Sequence, residues 1–263
     1  MEAVTPTADA TESAVIRDDT PTIAVLTCDR PNGFYLPDTV RQIDREGGAE
    51  LERKIYVDGT AEFVERLKRR LRAGGAQGWK FMRLGENLGS TEAMRRLVVE
   101  SANSERDLLF FEDDLQLCRN AVRRMAAQRV PDDAGVVTFF DMKEVAPGAA
   151  PGLYRRPADG HHGSGFWGAQ CLRISREALA YLAGRNWLEE SRGDSRMASD
   201  ILMGRHLAKH ARRRHLAVHI PNLVEHVGHA SACFPGLSLS PRWRRATNFP
   251  GRGFDALSLK TMA

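Results

Sequence analysis

Short apolar runs alternate with amphipathic segments along the first half of the chain. Each run is rich in β-branched or aromatic residues and stops at turn-forming residues, which is the pattern of a buried strand. The runs are Thr22–Cys28, Arg53–Val57, Trp79–Leu84, Asp107–Phe111 and Ala134–Phe140. Each of these runs is therefore predicted to be a strand.

Amphipathic helices are predicted between these strands. Helical spacing of apolar residues occurs at Leu36–Glu46, after Thr60, at Ser90–Ala102 and at Cys118–Gln128. Thr60 is a suitable N-cap for the second helix, whose inner face carries Phe63, Val64, Leu67 and Leu71. This alternation of strand and helix predicts an α/β fold, with a mostly parallel sheet covered by helices on both faces.

The second half of the chain is less regular. Glu144–Gly163 is rich in Pro, Gly and Ala and is interpreted as an excursion from the sheet. Strands are predicted at Gly165–Ile174 and Arg214–Ile220, and helices at Ser175–Ala183, with Ser175 as the N-cap, and at Ala198–Ala211. We predict a disordered leader over 1–20, a single domain over 21–240 with halves 21–141 and 142–240, and a basic C-terminal tail over 241–263.

Composition restricts the class of protein. Of the 263 residues, 42% are hydrophobic, which is enough to bury a core, yet no apolar run approaches the ~20 residues of a membrane span. The first twenty residues lack the apolar region of a secretory signal. Cys28, Cys118, Cys171 and Cys233 form no C-x-x-C pair, which argues against a zinc cage. A reduced, cytoplasmic protein with mostly buried thiols is expected.

The net charge of +4 is unevenly distributed along the chain. Arg205–His215 carries five Arg/Lys and three His residues, and Arg242, Arg244, Arg245 and Arg252 lie near the C-terminus. Such clusters could hold phosphates, or they could be a solvated helix face and a basic tail. The sequence leaves both interpretations open.

Polar loops follow four of the predicted strands. In an open parallel sheet, ligands bind beyond the carboxyl ends of the strands, so these loops should line one cleft. They are Thr27–Arg30, Asp58–Gly59, Glu86–Gly89 and Glu112–Asp114.

The sharpest chemical feature is the acidic cluster Glu112-Asp113-Asp114, directly after an apolar strand. Three adjacent acids repel one another in a dry site unless a cation neutralises them. Mg²⁺ or Mn²⁺ prefers one or two carboxylates together with phosphate oxygens, and such an ion could bridge a diphosphate. The alternative is a helix start carrying acids, which the helix dipole favours.

Several strand-end motifs together resemble the GT-A glycosyltransferases, and the resemblance covers about Pro21–Ser231. Thr27-Cys28-Asp29-Arg30-Pro31 resembles the opening strand and loop of that family, and Tyr56-Val57-Asp58-Gly59 resembles the end of its second strand. Asn87-Leu88-Gly89-Ser90 resembles its Asn-x-Gly turn. Phe110-Phe111-Glu112-Asp113-Asp114 resembles its metal-binding motif, in the form found in several N-acetylglucosaminyltransferases.

The resemblance implies a GT-A type nucleotide-binding sandwich with a smaller acceptor-side region. The nucleotide-sugar half would be 21–141 and the acceptor and catalytic half 142–240. It also implies that Asp114 binds the metal. The implied donor-binding residues are Thr27, Asp29, Arg30, Asp58, Asn87, Gly89, Glu112 and Asp113.

The second half supplies the remaining candidates. Residues Pro221–Ser231 resemble the C-terminal segment of N-acetylglucosaminyltransferases of type IV, which implies a histidine metal ligand, either His226 or His229. An inverting transferase needs a general base, and Asp200 is the candidate, with Asp194, Glu189 and Glu190 as competitors. The acceptor or sugar loop is expected at Gly165, Phe166 and Trp167, where an aromatic ring could stack on a sugar or could belong to the core.

The implied activity is transfer of a sugar from a UDP-sugar to a hydroxyl acceptor, with Mn²⁺ or Mg²⁺ and inversion of configuration. The acceptor would be a glycan or a small molecule, with hydroxyl-modified DNA as the less favoured polyanionic option. Two alternatives remain open at this point. One is a nucleotidyltransferase of similar fold, and the other is a non-catalytic nucleic-acid-binding module that uses basic residues with Trp243 and Phe249.

Overall fold

A computed structural model describes residues 20–29, 34–142, 149–158, 166, 168–190, 198–228 and 245–259. Arg30, Gly165, Trp167, Asp194, His229 and Trp243 lie outside the described residues, as do the predicted leader before residue 20 and all of 229–244.

Within the described residues, a twisted eight-stranded sheet forms the centre of the molecule and a two-stranded sheet lies beside it. In chain order the strands are β1 (Thr22–Cys28), β2 (Arg53–Asp58), β3 (Trp79–Gly85), β4 (Leu108–Glu112), β5 (Leu115–Leu117), β6 (Ala134–Thr138), β7 (Gly152–Pro157), β8 (Cys171–Ile174), β9 (His215–Ile220) and β10 (Val224–His226). The large sheet has the order β3-β2-β1-β4-β8-β6-β9-β7, and β10 pairs with β5 in the small one.

Strand direction brings the polar loops to one edge. β3, β2, β1 and β4 are mutually parallel, and β8 is antiparallel to both β4 and β6. Because β6 then runs with β4, and β9 runs parallel to β6, the carboxyl ends of all these strands except β8 lie along the same edge. The mostly parallel α/β sheet predicted from the sequence is confirmed.

Helices cover both faces of the sheet. They are α1 (Leu36–Arg45), α2 (Ala61–Ala73), α3 (Gly89–Ala102), α4 (Ala121–Ala127), α5 (Arg176–Ala183), α6 (Trp187–Glu190) and α7 (Ser199–Ala208), with short 3-10 turns at Gly48–Glu50 and Ala256–Ser258. The Thr60 hydroxyl caps α2 by accepting from Phe63 N at 3.1 Å, and Ser175 caps α5 by accepting from Ala178 N at 3.2 Å. Both caps were predicted from residue type.

The alternation of side chains along the strands divides the core into two layers. In β1, Ile23 and Val25 face the layer that contains α1, α2 and α4, whereas Ala24 faces the layer that contains α3, α5 and α7. In β4, Phe111 and Phe110 divide in the same way, and both are fully buried. Burial of both faces explains why these strands are continuous apolar runs.

The short elements of the fold were not predicted from the sequence. β5 and β10 have three residues each, too few for a period to be seen, and the helix predicted from Cys118 begins only at Ala121. The segment interpreted as an excursion contains β7, an edge strand whose residues are mostly partly exposed. Among the described residues of the strand predicted at Gly165–Ile174, only Cys171–Ile174 are in a strand, and α6 was not predicted.

The described cysteines Cys28, Cys118 and Cys171 are free thiols. Cys118 and Cys171 are fully buried, and burial raises the pKa of Cys118 to about 12. None of the helices in the described part of the chain is long and apolar enough to cross a membrane.

Candidate metal and donor site

Strand register assembles the site at the carboxyl edge of the sheet. Leu26 of β1 lies opposite Glu112 of β4, and Cys28 lies opposite Asp58 of β2. The polar residues that follow these positions therefore share one edge. β4 ends at Glu112, and the chain turns through Asp113 and Asp114 before it enters β5.

Three candidate ligand side chains meet at this edge. Glu112, Asp114 and His226 each offer one ligand atom, and these atoms all lie within 4.8 Å of one another. Asp114 is 1% exposed and His226 is 6% exposed, with 3.2 Å between His226 Nε2 and Asp114 Oδ2. The two carboxylates suit Mn²⁺ or Mg²⁺ completed by phosphate oxygens or water, and the imidazole, a ligand of transition metals, favours Mn²⁺ of the two.

Strand pairing in the small sheet places His226 beside Asp114, although the two residues are more than a hundred positions apart in the sequence. β10 pairs antiparallel with β5, so that His226 lies opposite Leu115, the residue after Asp114. One step further along, Val227 N donates to Asp114 O at 2.9 Å. Of the two histidines considered from the sequence, His226 is the one brought to Asp114, while His229 lies outside the described residues.

Gly228 allows the close approach of the His226 segment to Asp114, and no role for Gly228 was predicted from the sequence. A Cβ on Gly228 would lie 2.0 Å from Asp114 Oδ2 and 3.2 Å from His226 Cε1, so no side chain fits there. The available signal is the His-x-Gly sequence at 226–228, within the segment Pro221–Ser231 that resembles the C-terminal segment of type IV N-acetylglucosaminyltransferases.

The middle acid, Asp113, faces the end of β1. Its Oδ2 accepts a hydrogen bond from the Thr27 hydroxyl at 2.5 Å, and Asp113 is 3% exposed. From α1, the Thr39 hydroxyl donates to Asp113 O at 2.8 Å and accepts from Leu115 N at 3.0 Å. These bonds fix the turn between β4 and β5 and hence the direction of its neighbours. Thr39 was not anticipated, because a buried threonine on a helix carries no distinguishing pattern.

Asp58 holds the Asn-x-Gly turn. Its carboxylate accepts from Leu88 N at 2.9 Å and from Gly89 N at 3.3 Å, at the start of α3. Asn87 and Gly89 have φ values of 53° and 78°, the left-handed region in which glycine and asparagine are tolerated. Asp58, Asn87 and Gly89 are therefore joined as one unit beside β1. Asp29, in contrast, is about half exposed and lies 3.3 Å from Arg66.

Asp200 lies in the first turn of α7 and connects back to the acidic edge. Its Oδ2 accepts from Gly168 N at 2.7 Å, and two residues later Gln170 O accepts from Glu112 N at 2.8 Å. Burial raises the pKa of Asp200, against the opposing effect of its backbone hydrogen bonds. The competitor Glu189 is exposed and lies beside Asn186.

The predicted acceptor loop is described only at Phe166. This ring is 4% exposed and packs in the core layer of α7, where its Cβ is 3.1 Å from the position that a Cβ on Gly204 would take. In this structure Phe166 therefore contributes to packing and not to an exposed stacking surface.

Arg213 of the basic segment 205–215 lies away from this edge. It forms an ion pair with Glu177 and donates to Ala134 O at 2.9 Å, at the amino ends of β6 and β9. Since the site is at the carboxyl ends, Arg213 is not positioned to hold a phosphate there.

Known proteins resemble this chain in fold only. No protein-family model matches the sequence, and no curated protein matches it. Among solved structures, GalNAc-T7 with UDP, GalNAc and Mn²⁺ has a TM-score of 0.51 at 12% identity over 81% of this chain and 45% of that one. TarS 1–349 of S. aureus has a TM-score of 0.45 at 14% identity over 75% of this chain and 57% of that one.

The galactosyltransferase LgtC, in complex with donor and acceptor sugar analogs, is similar at a TM-score of 0.45 and 15% identity, over 70% of each chain. This chain spans about half the length of the GalNAc-T7 and TarS structures, 45% and 57% respectively. With its mostly parallel sheet of the described order, the chain has the GT-A fold, which it shares with GalNAc-T7 at a TM-score of 0.51.

Proposed function

We propose that this chain is a metal-dependent glycosyltransferase that takes a sugar from a UDP-sugar and transfers it to a hydroxyl acceptor with inversion. The observation that carries the proposal is the convergence of Glu112, Asp114 and His226 at the carboxyl edge of the sheet. Ligands of open α/β sheets bind at that edge, and a buried acidic site is stabilised by a cation. The acceptor class is a glycan or a small molecule with a free hydroxyl.

The acidic residues of the site divide into two groups by their position. Asp58 and Asp113 accept hydrogen bonds from the protein itself, which fixes the two turns on either side of β1. Asp114 and Glu112 point with His226 into a common space. In the proposal this triad holds Mn²⁺ or Mg²⁺, which would neutralise the diphosphate as it leaves. Thr27, Asp29, Arg30, Asp58, Asn87 and Gly89 form the donor side.

The fold neighbour supports the choice of donor and metal. The GalNAc-T7 structure was determined with UDP, GalNAc and Mn²⁺, and it shares the fold at a TM-score of 0.51. Carried to this chain, that combination favours a UDP-linked hexose or N-acetylhexosamine. The motif Glu112-Asp113-Asp114 favours the N-acetylhexosamine, in keeping with its likeness to N-acetylglucosaminyltransferases.

Turnover of a UDP-sugar tests this function directly. We expect the purified chain to release UDP from UDP-N-acetylglucosamine or a related donor in the presence of Mn²⁺, to lose that activity in EDTA and to regain it when Mn²⁺ is restored. The measurement is coupled UDP release over a panel of UDP-sugars. Pyrophosphate release from UTP and a sugar phosphate, without UDP release from any donor, would instead identify a nucleotidyltransferase.

Asp200 is proposed as the base that removes the proton of the acceptor hydroxyl. A base acts in its deprotonated form, so transfer should decline as the pH falls through the pKa of Asp200. Because burial raises that pKa, the decline should begin above the ordinary aspartate value of about 3.9. Asp200→Asn should lower kcat for transfer by about 100-fold or more while leaving the KM for the donor within about twofold.

The matched control for Asp200 is Glu189→Gln, which removes an exposed acid from the neighbouring α6. It should leave both kcat and the pH profile unchanged. If Asp200→Asn retained wild-type kcat, or if the control lost as much activity, the base would have to be assigned elsewhere.

A further inference from the structure

The strand that carries His226 is held from two sides. On one side it is bonded to the main body, where Leu223 N donates to Phe139 O and Cys118 N donates to Leu223 O, each at 3.0 Å. On the other side lies the C-terminal strap, residues 245–259. The position of His226 therefore depends on contacts outside the triad.

The C-terminal strap is firmly attached to the body of the protein. Asp255 accepts from Asn120 Nδ2 and from Arg119 Nη2, each at 3.0 Å, and Ala256 is fully buried. Phe249 and Phe254 pack against the core layer of α1, α2 and α4. These contacts make the strap a fixed support and not a loose tail.

Glu225 joins the strap to the ligand-bearing strand. Its Oε1 accepts from the backbone N–H of His226 at 3.0 Å and from the backbone N–H of Ala246 at 2.9 Å. This one oxygen therefore connects two segments that are far apart in sequence. A neighbouring bond from Asn222 N to Asn248 O links the same two segments without reaching His226, and Thr247 bonds the strap to Asp141 O, just after β6.

We propose that Glu225 is a positioning residue of the metal site, which sets the imidazole of His226 by tying its backbone to the C-terminal strap. The proposal rests on the proposed metal-binding function and adds a residue that does not touch the metal. Metal sites require ligand distances to within about 0.2 Å, and the groups that orient ligands typically contribute about 10–100-fold in metal affinity. A change in the length of the Glu225 side chain should therefore shift the backbone of His226, and with it the imidazole.

Two substitutions separate reach from charge. Glu225→Asp keeps the negative charge but shortens the side chain by one methylene, so its oxygens can no longer serve both N–H groups. Glu225→Gln removes the charge but keeps an acceptor oxygen at the same distance. We expect Glu225→Asp to weaken Mn²⁺ binding about tenfold and Glu225→Gln to weaken it by less than about threefold.

The control is Thr247→Val, which removes the hydroxyl bond from the same strap to Asp141 O but leaves the Glu225 bonds intact. Mn²⁺ affinity should then be unchanged. Titration calorimetry on the full chain measures Mn²⁺ binding, and hydrogen exchange followed by mass spectrometry measures protection of 222–228 without metal. Glu225→Asp should increase exchange there, whereas Glu225→Gln should not.

The two readouts keep the proposals distinguishable. Failure of the wild-type chain to bind Mn²⁺ would end the proposed metal function, while exchange at 222–228 would still decide whether Glu225 anchors that strand. Wild-type exchange and affinity in Glu225→Asp would overturn the positioning role. Equal losses in Glu225→Asp and Glu225→Gln would also overturn it, because the effect would then follow something other than reach.

Discussion

Asp114→Asn is expected to lower metal-dependent release of UDP by at least about 100-fold. The substitution keeps the shape of the side chain but removes the charge from the most buried member of the triad, which is 1% exposed. A metal at a diphosphate contributes several kcal/mol of charge stabilisation, and each ~1.4 kcal/mol corresponds to a factor of ten in rate. Initial rates at saturating Mn²⁺, together with calorimetric Mn²⁺ titration, measure the effect.

Stability distinguishes this result from simple unfolding. Removing one charge from a buried group of acids reduces their mutual repulsion, so the melting temperature of Asp114→Asn without metal should not fall. Wild-type protein should be stabilised by added Mn²⁺, and the variant should not be. The matched control is Asp133→Asn at the amino end of β6, where Asp133 pairs with Arg155 far from the triad. Unchanged Mn²⁺-dependent turnover in Asp114→Asn would remove Asp114 from the metal site.

The sheet could be predicted from the sequence because its strands are buried on both faces. β1 and β4 are unbroken apolar runs, and each is followed by polar residues that mark the edge. From these runs and the intervening helices, the parallel order and the convergence of the loops after β1, β2 and β4 follow from general rules. Capping by Thr60 and Ser175 was equally local and could be predicted from residue type.

The contacts that shape the site could not be predicted in the same way. β5 and β10 are too short to produce a pattern, yet their pairing brings His226 to Asp114. The proximity of His226 to Asp114 was suggested only by family resemblance, because no local sequence pattern relates two residues that are more than a hundred positions apart. The hydrogen bond from Thr27 to Asp113 likewise depends on the register between β1 and β4 and on the turn that follows.

The structure changes the roles expected for Glu112, Asp113 and Asp114. Resemblance implies that Glu112 and Asp113 both face the donor, with Asp114 alone on the metal. In the structure Glu112 offers an oxygen to the group that contains Asp114 and His226, whereas the carboxylate of Asp113 contacts Thr27. The adjacent acids Glu112 and Asp113 thus have two environments, because β4 ends at Glu112 and the chain turns at Asp113. The proposed metal site accordingly includes Glu112 as a third candidate ligand.

Gly228→Ala is expected to weaken Mn²⁺ binding about 100-fold, although it replaces none of the candidate ligands. The added Cβ would lie 2.0 Å from Asp114 Oδ2 and 2.8 Å from Asp114 Cγ, far inside contact distance. Either the Asp114 carboxylate must rotate or the 226–228 segment must withdraw, and both movements separate Asp114 from His226. Overpacking of this kind typically costs about 1–3 kcal/mol of stability, so the melting temperature should fall as well.

The control for this steric effect is Gly253→Ala in the C-terminal strap, where an added Cβ meets nothing within 4 Å. It should leave Mn²⁺ affinity and melting temperature unchanged. Combining Gly228→Ala with Asp114→Asn separates the two causes further. If the clash acts through the Asp114 carboxylate, the double variant should bind Mn²⁺ no more weakly than Asp114→Asn alone, because sites in contact are not additive. Wild-type Mn²⁺ affinity in Gly228→Ala would mean that the 226–228 segment does not approach Asp114 in solution, and the triad would then lose its histidine.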